Sequence, residues 1–242
     1  MNPIVLIPAR LAASRFPNKP LADIHGKSMI VHCVERAQEA DLGPVWVAAG
    51  DNEIVDAVEQ AGGKAVLTDP AHPSGSDRIW EAACKIDPDG KYDVIVNMQG
   101  DLPAMEPGIL RDVTKPLTDS QVDIGTSVAV ITDPEDRANP NVVKAIAGFE
   151  DGARQARALA FTRATAPWGD GPLYYHFGIY TYRRSALERF VALPPGVLEK
   201  REKLEQMRAL ENGMRIDAVL IDTIPLTVDT PEDLEPVLEA LR

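Results

Sequence analysis

Three cations are spaced through a short segment near the start of the chain. Arg10, Arg15 and Lys19 lie in the segment ARLAASRFPNKP, which directly follows an apolar run at residues 4–7. Arginine can bind phosphate oxygens bidentately and lysine supplies a compact positive charge, so these residue types suit a phosphate-bearing ligand. Three cations on a surface are more often a solvated loop, but a position at the exit of a strand favours binding. The segment has too little glycine for a Walker A motif or a dinucleotide fingerprint.

Two aspartates could provide metal ligands. Asp101 follows an apolar run at residues 94–98, within NMQGDLP, and Asp229 directly precedes Thr230. Carboxylate oxygens suit Mg²⁺, and Gly100 would let the backbone approach a ligand closely. Asp101 is equally consistent with a capped turn, and Asp229 with a carboxylate favoured by a helix dipole. If the two carboxylates converge from their separate loops, they could hold one metal ion.

The segment HPSGSDR places hydroxyl groups and a glycine at the start of a predicted helix. Its candidate binding residues are Ser74, Gly75, Ser76 and Arg78. Free N–H groups at a helix N-terminus suit anions and hydrogen-bonding heterocycles. Ser76 is also explained as a simple N-cap. The four histidines lack the spacing of a zinc site, and no Gly-x-Ser-x-Gly elbow of a hydrolase is present.

Strands and helices alternate in the first half of the chain. Apolar runs predict strands at residues 4–7, 45–49, 65–67 and 94–98, and helical periodicity predicts helices at about 27–40, 54–61 and 76–86. This alternation predicts an α/β fold with a mostly parallel sheet covered on both faces. Because ligands collect at the carboxyl ends of parallel strands, the loops after the first and fourth strands are the first places to look for a site.

The rhythm changes after about residue 120. Strands are predicted at residues 125–131, 142–146, 178–182 and 216–221, a charged amphipathic helix at 199–212, and a final helix with Thr230 as N-cap. Fewer helices between strands indicate a smaller mixed or antiparallel lobe. We therefore predict one domain over residues 1–242, with an alternating half at 1–120, a part at 121–228 that includes a dimer-forming lobe, and a C-terminal helix at 229–242 that returns to the core.

Composition excludes several classes of protein. The chain has 242 residues, 45% of them apolar, and a formal net charge of −12. An acidic chain argues against a nucleic-acid binder, although local cations can still bind anionic small molecules. The chain contains no run of about 18 apolar residues, so no membrane span is predicted, and the N-terminus lacks the basic region of a signal peptide. With two cysteines, neither a disulfide scaffold nor a zinc site is indicated, and a cytoplasmic location is expected.

Taken together, the motifs resemble those of the 3-deoxy-manno-octulosonate cytidylyltransferases, also called CMP-KDO synthetases. Eight segments occur in the family's order over nearly the whole chain. They are IPARLAASRFPNKPLADIHGKSMIVH, HPSGSDR, VNMQGDLP, NPNVVKA, FTRATAPW, HFGIYTYRR, KLEQMRALENG and VDTPEDLE. The resemblance implies a glycosyltransferase-A-like α/β fold, usually homodimeric, that uses CTP and Mg²⁺. It also implies that residues 1–120 are the nucleotide-binding half and that residues 121–228 are the sugar-binding and dimerisation part.

The resemblance also implies roles for residues on the nucleotide side. Arg10, Arg15 and Lys19 would bind the CTP phosphates, and Asp101 and Asp229 would ligate magnesium. We take Arg10, Arg15, Lys19 and Asp101 as the predicted catalytic residues. The residues implied to hold the base, the ribose and the rest of the nucleotide are Ser74, Gly75, Ser76, Arg78, Gln99 and Gly100.

On the sugar side, five residues match the family's segments. They are Arg163, His176, Tyr180, Glu205 and Gln206. The sugar carboxylate needs a cation, for which Arg163 is the candidate. The implied reaction is attack of the sugar's anomeric hydroxyl on the α-phosphorus of CTP, giving CMP-KDO and pyrophosphate for lipopolysaccharide biosynthesis.

The chain departs from the family's usual pattern in three places. The family often has the segment QGDEP, and Leu102 stands at the position of its glutamate, so any role of that glutamate is absent or relocated. Gly50-Asp51 replaces the more usual Thr-Asp at the end of the second strand, which affects expected base contacts. The loop between Trp168 and Tyr174 is shorter than in many relatives.

Other functions remain open at this stage. A related acidic sugar, such as an 8-amino-KDO or a sialic acid, could replace KDO. A non-catalytic nucleotide-binding regulator could keep the fold, although both aspartates argue against it. A dinucleotide-dependent oxidoreductase fits the alternating first half but lacks the glycine fingerprint.

Overall fold

The computed structural model describes residues 1–12 and 15–242, so residues 13 and 14 of the cationic segment lie outside the described part. The chain forms two compact units. The first contains residues 1–111 and 225–242, and the second contains residues 112–224. In the described part of the chain, no helix is long and apolar enough to cross a membrane.

The first unit contains a parallel sheet in the order β5, β4, β1, β6. Its strands are β1 (Pro3–Ala9), β4 (Val45–Ala49), β5 (Ala65–Leu67) and β6 (Val94–Asn97), with a small hairpin of β2 (Asp23–Ile24) and β3 (Lys27–Ser28). Its helices are α1 (Met29–Glu39), α2 (Asn52–Gln60), α3 (Gly75–Ile86) and α9 (Leu234–Ala240), with 3₁₀ turns at Lys19–Leu21 and Pro231–Asp233.

The register of this sheet brings its loops to one edge. Val5 of β1 lies opposite Val45 of β4 and Val96 of β6, and all three strands run in the same direction. Residues 4–7 of β1 are all buried, as expected for a strand covered on both faces. The loops that begin at residues 10, 50 and 98 therefore leave the sheet at the same edge, where a ligand site is expected.

The second unit begins within α4 (Pro107–Thr114). Its strands are β7 (Ile124–Val130), β8 (Lys144–Ala147), β9 (Gln155–Thr162), β10 (Tyr174–Arg183) and β11 (Ile216–Leu220), and its helices are α5 (Pro134–Ala138), α6 (Arg184–Ala192), α7 (Val197–Glu202) and α8 (Met207–Glu211), with a 3₁₀ turn at Lys115–Thr118. The strand order is β10, β7, β11, β9, β8, and β8 also pairs with the start of β10. Since β7 and β11 are parallel and the other pairs antiparallel, the prediction of a mixed sheet is confirmed.

The helix predicted at 199–212 is wrong, because the structure breaks it into α7 and α8. Lys203 adopts a left-handed conformation with φ 56° at the C-terminus of α7. The N–H of Leu204 then donates to the carbonyl of Glu199 at 3.2 Å, which ends the helix as a Schellman-type turn does. Glu205 and Gln206 consequently lie in the break between two short helices.

The final helix begins as its sequence predicts, with one difference. Thr230 and Asp233 form a capping box in which Asp233 Oδ2 accepts from the Thr230 N–H at 2.7 Å. Pro231 opens a 3₁₀ turn, and the α-helix starts only at Leu234. The N–H of Asp229 also donates to Asp233 Oδ2, at 2.9 Å, so this box fixes the backbone at Asp229.

Candidate active site

An open cavity of about 440 Å³ lies at the strand exits of the first unit. The cavity is lined by all but one of the residues predicted for the nucleotide and metal. Those that line it are Arg10, Arg15, Lys19, Ser74, Gly75, Arg78, Gln99, Gly100, Asp101 and Asp229. Ser76 is the exception: it is buried beneath the first turn of α3.

Lys19 joins the two predicted metal ligands. Its ammonium lies 3.0 Å from Asp101 Oδ2 and 3.8 Å from Asp229 Oδ1, and it donates to the carbonyl of Val228 at 2.7 Å. Because Asp101 Oδ2 and Asp229 Oδ1 lie 3.0 and 3.8 Å from the same ammonium, the two oxygens are within about 7 Å of each other. The N–H of Val228 donates to the carbonyl of Asp101 at 3.1 Å, so the backbone holds the two loops side by side. The two carboxylates therefore converge from separate loops.

Arg15 closes this end of the cavity. Its guanidinium donates to Asp229 Oδ1 at 3.0 Å. The Arg15 side chain is 67% exposed and that of Asp229 is 48% exposed, so water screens the pair and it contributes little to stability. Arg15 is therefore available to exchange this carboxylate for another anion.

Arg10 and Arg78 form a second cationic group in the cavity. In the described residues, neither guanidinium has a carboxylate within 4.0 Å, and burial followed by the nearby charge of Arg10 lowers the pKa of Arg78. Two neighbouring cations without an ion pair repel each other, and an anion between them would relieve that repulsion. This part of the cavity suits the negative charge of a phosphate.

The N-terminus of α3 lies beside these arginines. Ser74, and not Ser76, is the N-cap: its Oγ accepts from the Asp77 N–H at 3.2 Å and donates to Asp77 Oδ2 at 2.6 Å. Gly75 lets the helix start close to β1, since a Cβ there would lie 3.3 Å from Pro8 Cγ. The first turn of α3 thus presents backbone N–H groups at the cavity.

The loop after β6 contributes Gln99, Gly100 and Asp101. A Cβ at Gly100 would lie 3.0 Å from the carbonyl oxygen of Pro8, so a larger residue here would crowd the end of β1. Leu102 is buried, and this apolar side chain offers no ligand oxygen. The carboxylate of this loop that reaches the cavity is that of Asp101.

Sequence reasoning missed three residues that shape the cavity. His72 lines it, and its Nε2 contacts Glu81 of α3. Asp51 accepts from the Leu11 N–H at 2.8 Å and so fixes the start of the cationic loop. Thr68 binds Arg78. His72 stood inside a segment singled out for its serines, but no pattern in the sequence signals its pairing with Glu81, nine residues along the chain.

In the second unit, three predicted sugar-side residues form a cluster. His176 lies 3.4 Å from Gln206 Nε2, and its ring centroid is 5.5 Å from that of Tyr180. Burial lowers the pKa of His176 to about 3, so its imidazole is neutral at pH 7. Burial, with smaller effects from Tyr182 and Glu205, raises the pKa of Tyr180 well above its ordinary value. Through its two ring nitrogens the neutral His176 contacts Thr126 Oγ1 at 3.0 Å as well as Gln206.

Arg163 makes contacts with the backbone. Its Nε donates to the carbonyl of Glu202 at 2.8 Å, Nη1 to that of Pro140 at 2.9 Å and Nη2 to that of Lys203 at 3.4 Å. A guanidinium has five N–H groups, so two remain for a ligand. Glu205, another predicted sugar-side residue, has its Oε1 4.0 Å from Arg208 Nη2.

Comparison with known proteins assigns the chain to a family. The sequence profile described as "Cytidylyltransferase" matches residues 4–216. A 3-deoxy-manno-octulosonate cytidylyltransferase from Rhodospirillum centenum is 62% identical over 234 residues, which cover 97% of this chain and 91% of that protein. The protein of that name from Paramagnetospirillum magneticum is 60% identical over 242 residues, covering 100% of this chain and 98% of the relative.

A solved structure supports the same assignment. The structure of a CMP:2-keto-3-deoxy-manno-octonic acid synthetase complexed with CTP matches with a TM-score of 0.90 and 34% identity, covering 100% of this chain and 98% of that one. The α/β fold class and the resemblance read from the eight segments are thereby confirmed, and so is the class of enzyme, a nucleotidyltransferase. The chain belongs to the 3-deoxy-manno-octulosonate cytidylyltransferase family.

Proposed function

We propose that this enzyme couples CTP to 3-deoxy-D-manno-octulosonate and releases pyrophosphate, a step of lipopolysaccharide biosynthesis. One observation carries the proposal. Two carboxylates, Asp101 and Asp229, meet at Lys19 in a cavity that also holds the guanidinium groups of Arg10 and Arg78. Carboxylates for a metal ion and cations for phosphates are the two requirements of a metal-bound triphosphate.

The reaction transfers a CMP group. The sugar's anomeric oxygen forms a bond to the α-phosphorus as the bond from that phosphorus to the bridging oxygen of pyrophosphate breaks, and the hydroxyl proton passes to solvent. Arg10, Arg15 and Lys19 bind the triphosphate and neutralise charge that builds on the pyrophosphate. Fixing the triphosphate for in-line attack lowers the entropic part of the barrier.

The donor set at Lys19 fits Mg²⁺. Asp101 and Asp229 offer hard oxygens from separate loops, and the cavity is open to water and to phosphate oxygens. Among the described residues there is no group of three or more His, Cys, Asp or Glu side chains that could hold a metal ion, so these two would share the metal with water and substrate. When bound, Mg²⁺ would offset phosphate charge and lower the pKa of the attacking hydroxyl.

Lys19 has a second role in this proposal. Its ammonium lies 3.0 Å from one carboxylate and 3.8 Å from the other. A triphosphate offers it a more highly charged partner. We propose that Lys19 then turns to the phosphates and leaves the carboxylate oxygens for the metal.

The sugar is proposed to bind in the second unit at Arg163, His176, Tyr180, Glu205 and Gln206. His176 contacts Thr126 Oγ1 at 3.0 Å and Gln206 Nε2 at 3.4 Å, so it would orient Gln206 beside the sugar, while the neutral hydroxyl of Tyr180 suits a sugar hydroxyl group. The sugar carboxylate would take the two remaining N–H groups of Arg163. A homodimer and a cytoplasmic location are proposed on the family resemblance.

The proposal is tested by the mass of the product. The enzyme is incubated with Mg²⁺, one of CTP, UTP, ATP or GTP, and one of KDO, 8-amino-KDO or N-acetylneuraminate, and the products are analysed by mass spectrometry. We expect CMP-KDO and equimolar pyrophosphate from CTP and KDO. A conjugate only with another sugar would reassign the substrate, and CTP binding without a conjugate would identify a non-catalytic regulator.

A further inference from the structure

The guanidinium of Arg78 is held by uncharged groups. Nη1 donates to Thr68 Oγ1 at 2.6 Å, and Nη2 lies 3.5 Å from the carbonyl of Pro70. The Thr68 hydroxyl has one proton, which it donates to the carbonyl of Ala49 at 2.8 Å, so its lone pair faces Arg78. Thr68 and Arg78 are each only 2% exposed, although Arg78 lines the cavity. These two successive hydrogen bonds, from Arg78 to Thr68 and from Thr68 to Ala49 of β4, fix the guanidinium at the wall of the cavity.

Gly50 makes room for this arrangement. A Cβ at residue 50 would lie 2.8 Å from Arg78 Nη1 and 3.3 Å from Arg10 Cβ. Contacts below 3.0 Å do not occur for real Cβ atoms, so any larger residue would displace the guanidinium. Thr68 therefore holds the Arg78 guanidinium by a hydrogen bond, and Gly50 leaves the space that this position of the guanidinium needs.

The charge of Arg78 is left for a ligand. In the described residues it has no carboxylate within 4.0 Å, and the two contacts to Thr68 and Pro70 use two of its five N–H groups. Asp51, Glu81 and Asp69 act on Arg78 only from beyond ion-pair distance, so a buried cation hydrogen-bonded to a hydroxyl and a carbonyl gains from an anionic or carbonyl acceptor in the cavity. The remaining N–H groups of Arg78 can bind such an acceptor only if they point into the cavity.

We propose that Thr68 and Gly50 are positioning residues for nucleotide binding, which aim the Arg78 guanidinium at an acceptor oxygen of CTP. The inference rests on the proposed function, because it takes CTP as the occupant of the cavity. Neither residue touches the nucleotide itself. Their effect on binding passes through Arg78.

The test is a set of CTP dissociation constants measured by isothermal titration calorimetry in Mg²⁺ buffer without sugar. Thr68→Val keeps the shape of the side chain but removes the acceptor, and Gly50→Ala adds the obstructing Cβ. Each is expected to weaken CTP binding about tenfold, because a hydrogen bond to a charged group is lost or displaced. Thr68→Ser keeps the hydroxyl and should stay within about threefold of the wild type. Gly148→Ala is the matched control, since a Cβ there has nothing within 4 Å.

A double-mutant cycle separates positioning from general damage. In an Arg78→Ala background, titrated to millimolar CTP, Thr68→Val and Gly50→Ala should have no further effect on the dissociation constant. Equal weakening with and without Arg78, or wild-type binding by both single variants, would overturn the inference. If Thr68→Val does not fold, as judged by thermal unfolding, Gly50→Ala decides alone. If the wild-type enzyme does not bind CTP, the proposed function itself is refuted.

Discussion

Asp101 and Asp229 share one ammonium group, that of Lys19, and each carboxylate is open to the cavity. The arrangement is balanced: two negative charges face the positive charges of Lys19 and Arg15. A substrate that brings its own negative charge can displace these cations from the carboxylates. At the scale of single residues, the proposed function therefore treats the site as a set of ion pairs that exchange partners when the substrate binds.

Asp101→Asn should lower kcat at least a hundredfold while changing the dissociation constant for CTP by less than about fivefold. The amide keeps the size of the side chain but removes the charge on which a metal ligand depends. Steady-state kinetics at saturating Mg²⁺ and calorimetry with CTP measure the two quantities. Asp89→Asn, on an exposed turn, is the control. An unchanged kcat would remove Asp101 from the mechanism.

Arg15→Ala should raise KM for CTP about tenfold and leave KM for the sugar unchanged, because the lost guanidinium is proposed to bind phosphate. Arg189→Ala provides a matched control. Arg189 also pairs with one aspartate at 3.0 Å, and its side chain is 54% exposed against 67% for Arg15. Initial rates with each substrate varied in turn give both constants. An effect confined to the sugar would contradict the role assigned to Arg15.

The nucleotide side of the site was predictable from sequence because its residues follow strand exits. Arg10 and Asp101 come just after apolar runs that proved to be β1 and β6, so the edge of the sheet brings them together. Asp229 was identified by the resemblance and by its place before a capping box. Thr68 and Gly50 were not predicted, because their part depends on the path of the Arg78 side chain, which no spacing in the sequence encodes.

At the scale of elements, regular periodicity was predicted well and local breaks were not. Strand β4 matches its predicted range, and α1 and α3 lie within one or two residues of theirs. Strand β9 and helices α4 and α6 were not predicted. The alternation of β9 is weak, since apolar and polar residues share both faces in QARALAFT. The break at Lys203 depends on a left-handed backbone conformation in a residue with no special preference for it.

Helix α3 shows how an element supports the site. Its Glu81 accepts from the Asp69 N–H at 2.9 Å and from Lys85 at 2.6 Å, and it contacts His72 at the cavity. Burial acts to raise the pKa of Glu81, but the hydrogen bonds from Lys85, Asp69 and His72 outweigh it and lower the pKa to about 2. The ionised carboxylate thus ties the loop before α3 to the helix.

Glu81→Gln should lower the free energy of unfolding at pH 7. The pKa of Glu81 is lower in the folded chain than its ordinary value of 4.5, so its contribution is complete above about pH 4.5 and is lost as the pH falls to about 2. The difference between wild type and variant should therefore shrink through that window. Urea denaturation at a series of pH values measures it, with Glu59→Gln on the exposed face of α2 as control. A difference independent of pH would contradict the assignment.

At the scale of the whole molecule, an acidic chain binds anionic substrates by concentrating its cations. The net charge is −12, yet Arg10, Arg15, Lys19 and Arg78 line one cavity. Salt screens distant charges over about 8 Å at physiological ionic strength, so a substrate inside the cavity experiences mainly the local cations. Total charge argues against a nucleic-acid binder but not against a nucleotide enzyme.

The proposed homodimer can be tested on the second unit, where several large apolar side chains are exposed. Leu159, on β9, is 64% exposed. If β9 contributes to the contact between copies, Leu159→Glu should bury a charge there and disfavour the dimer. Sedimentation equilibrium should then give about twice 26.3 kDa for the wild type and 26.3 kDa for the variant.

Leu67→Glu is the matched control for this prediction, since Leu67 is an exposed leucine on strand β5 of the first unit. We expect it to keep the mass of the wild type. A monomeric wild type would refute the homodimer, whereas a dimer that survives Leu159→Glu would move the contact away from β9. Because the first unit contains the whole cavity, a monomeric variant should still bind CTP, and calorimetry on it would show whether nucleotide binding depends on the dimer.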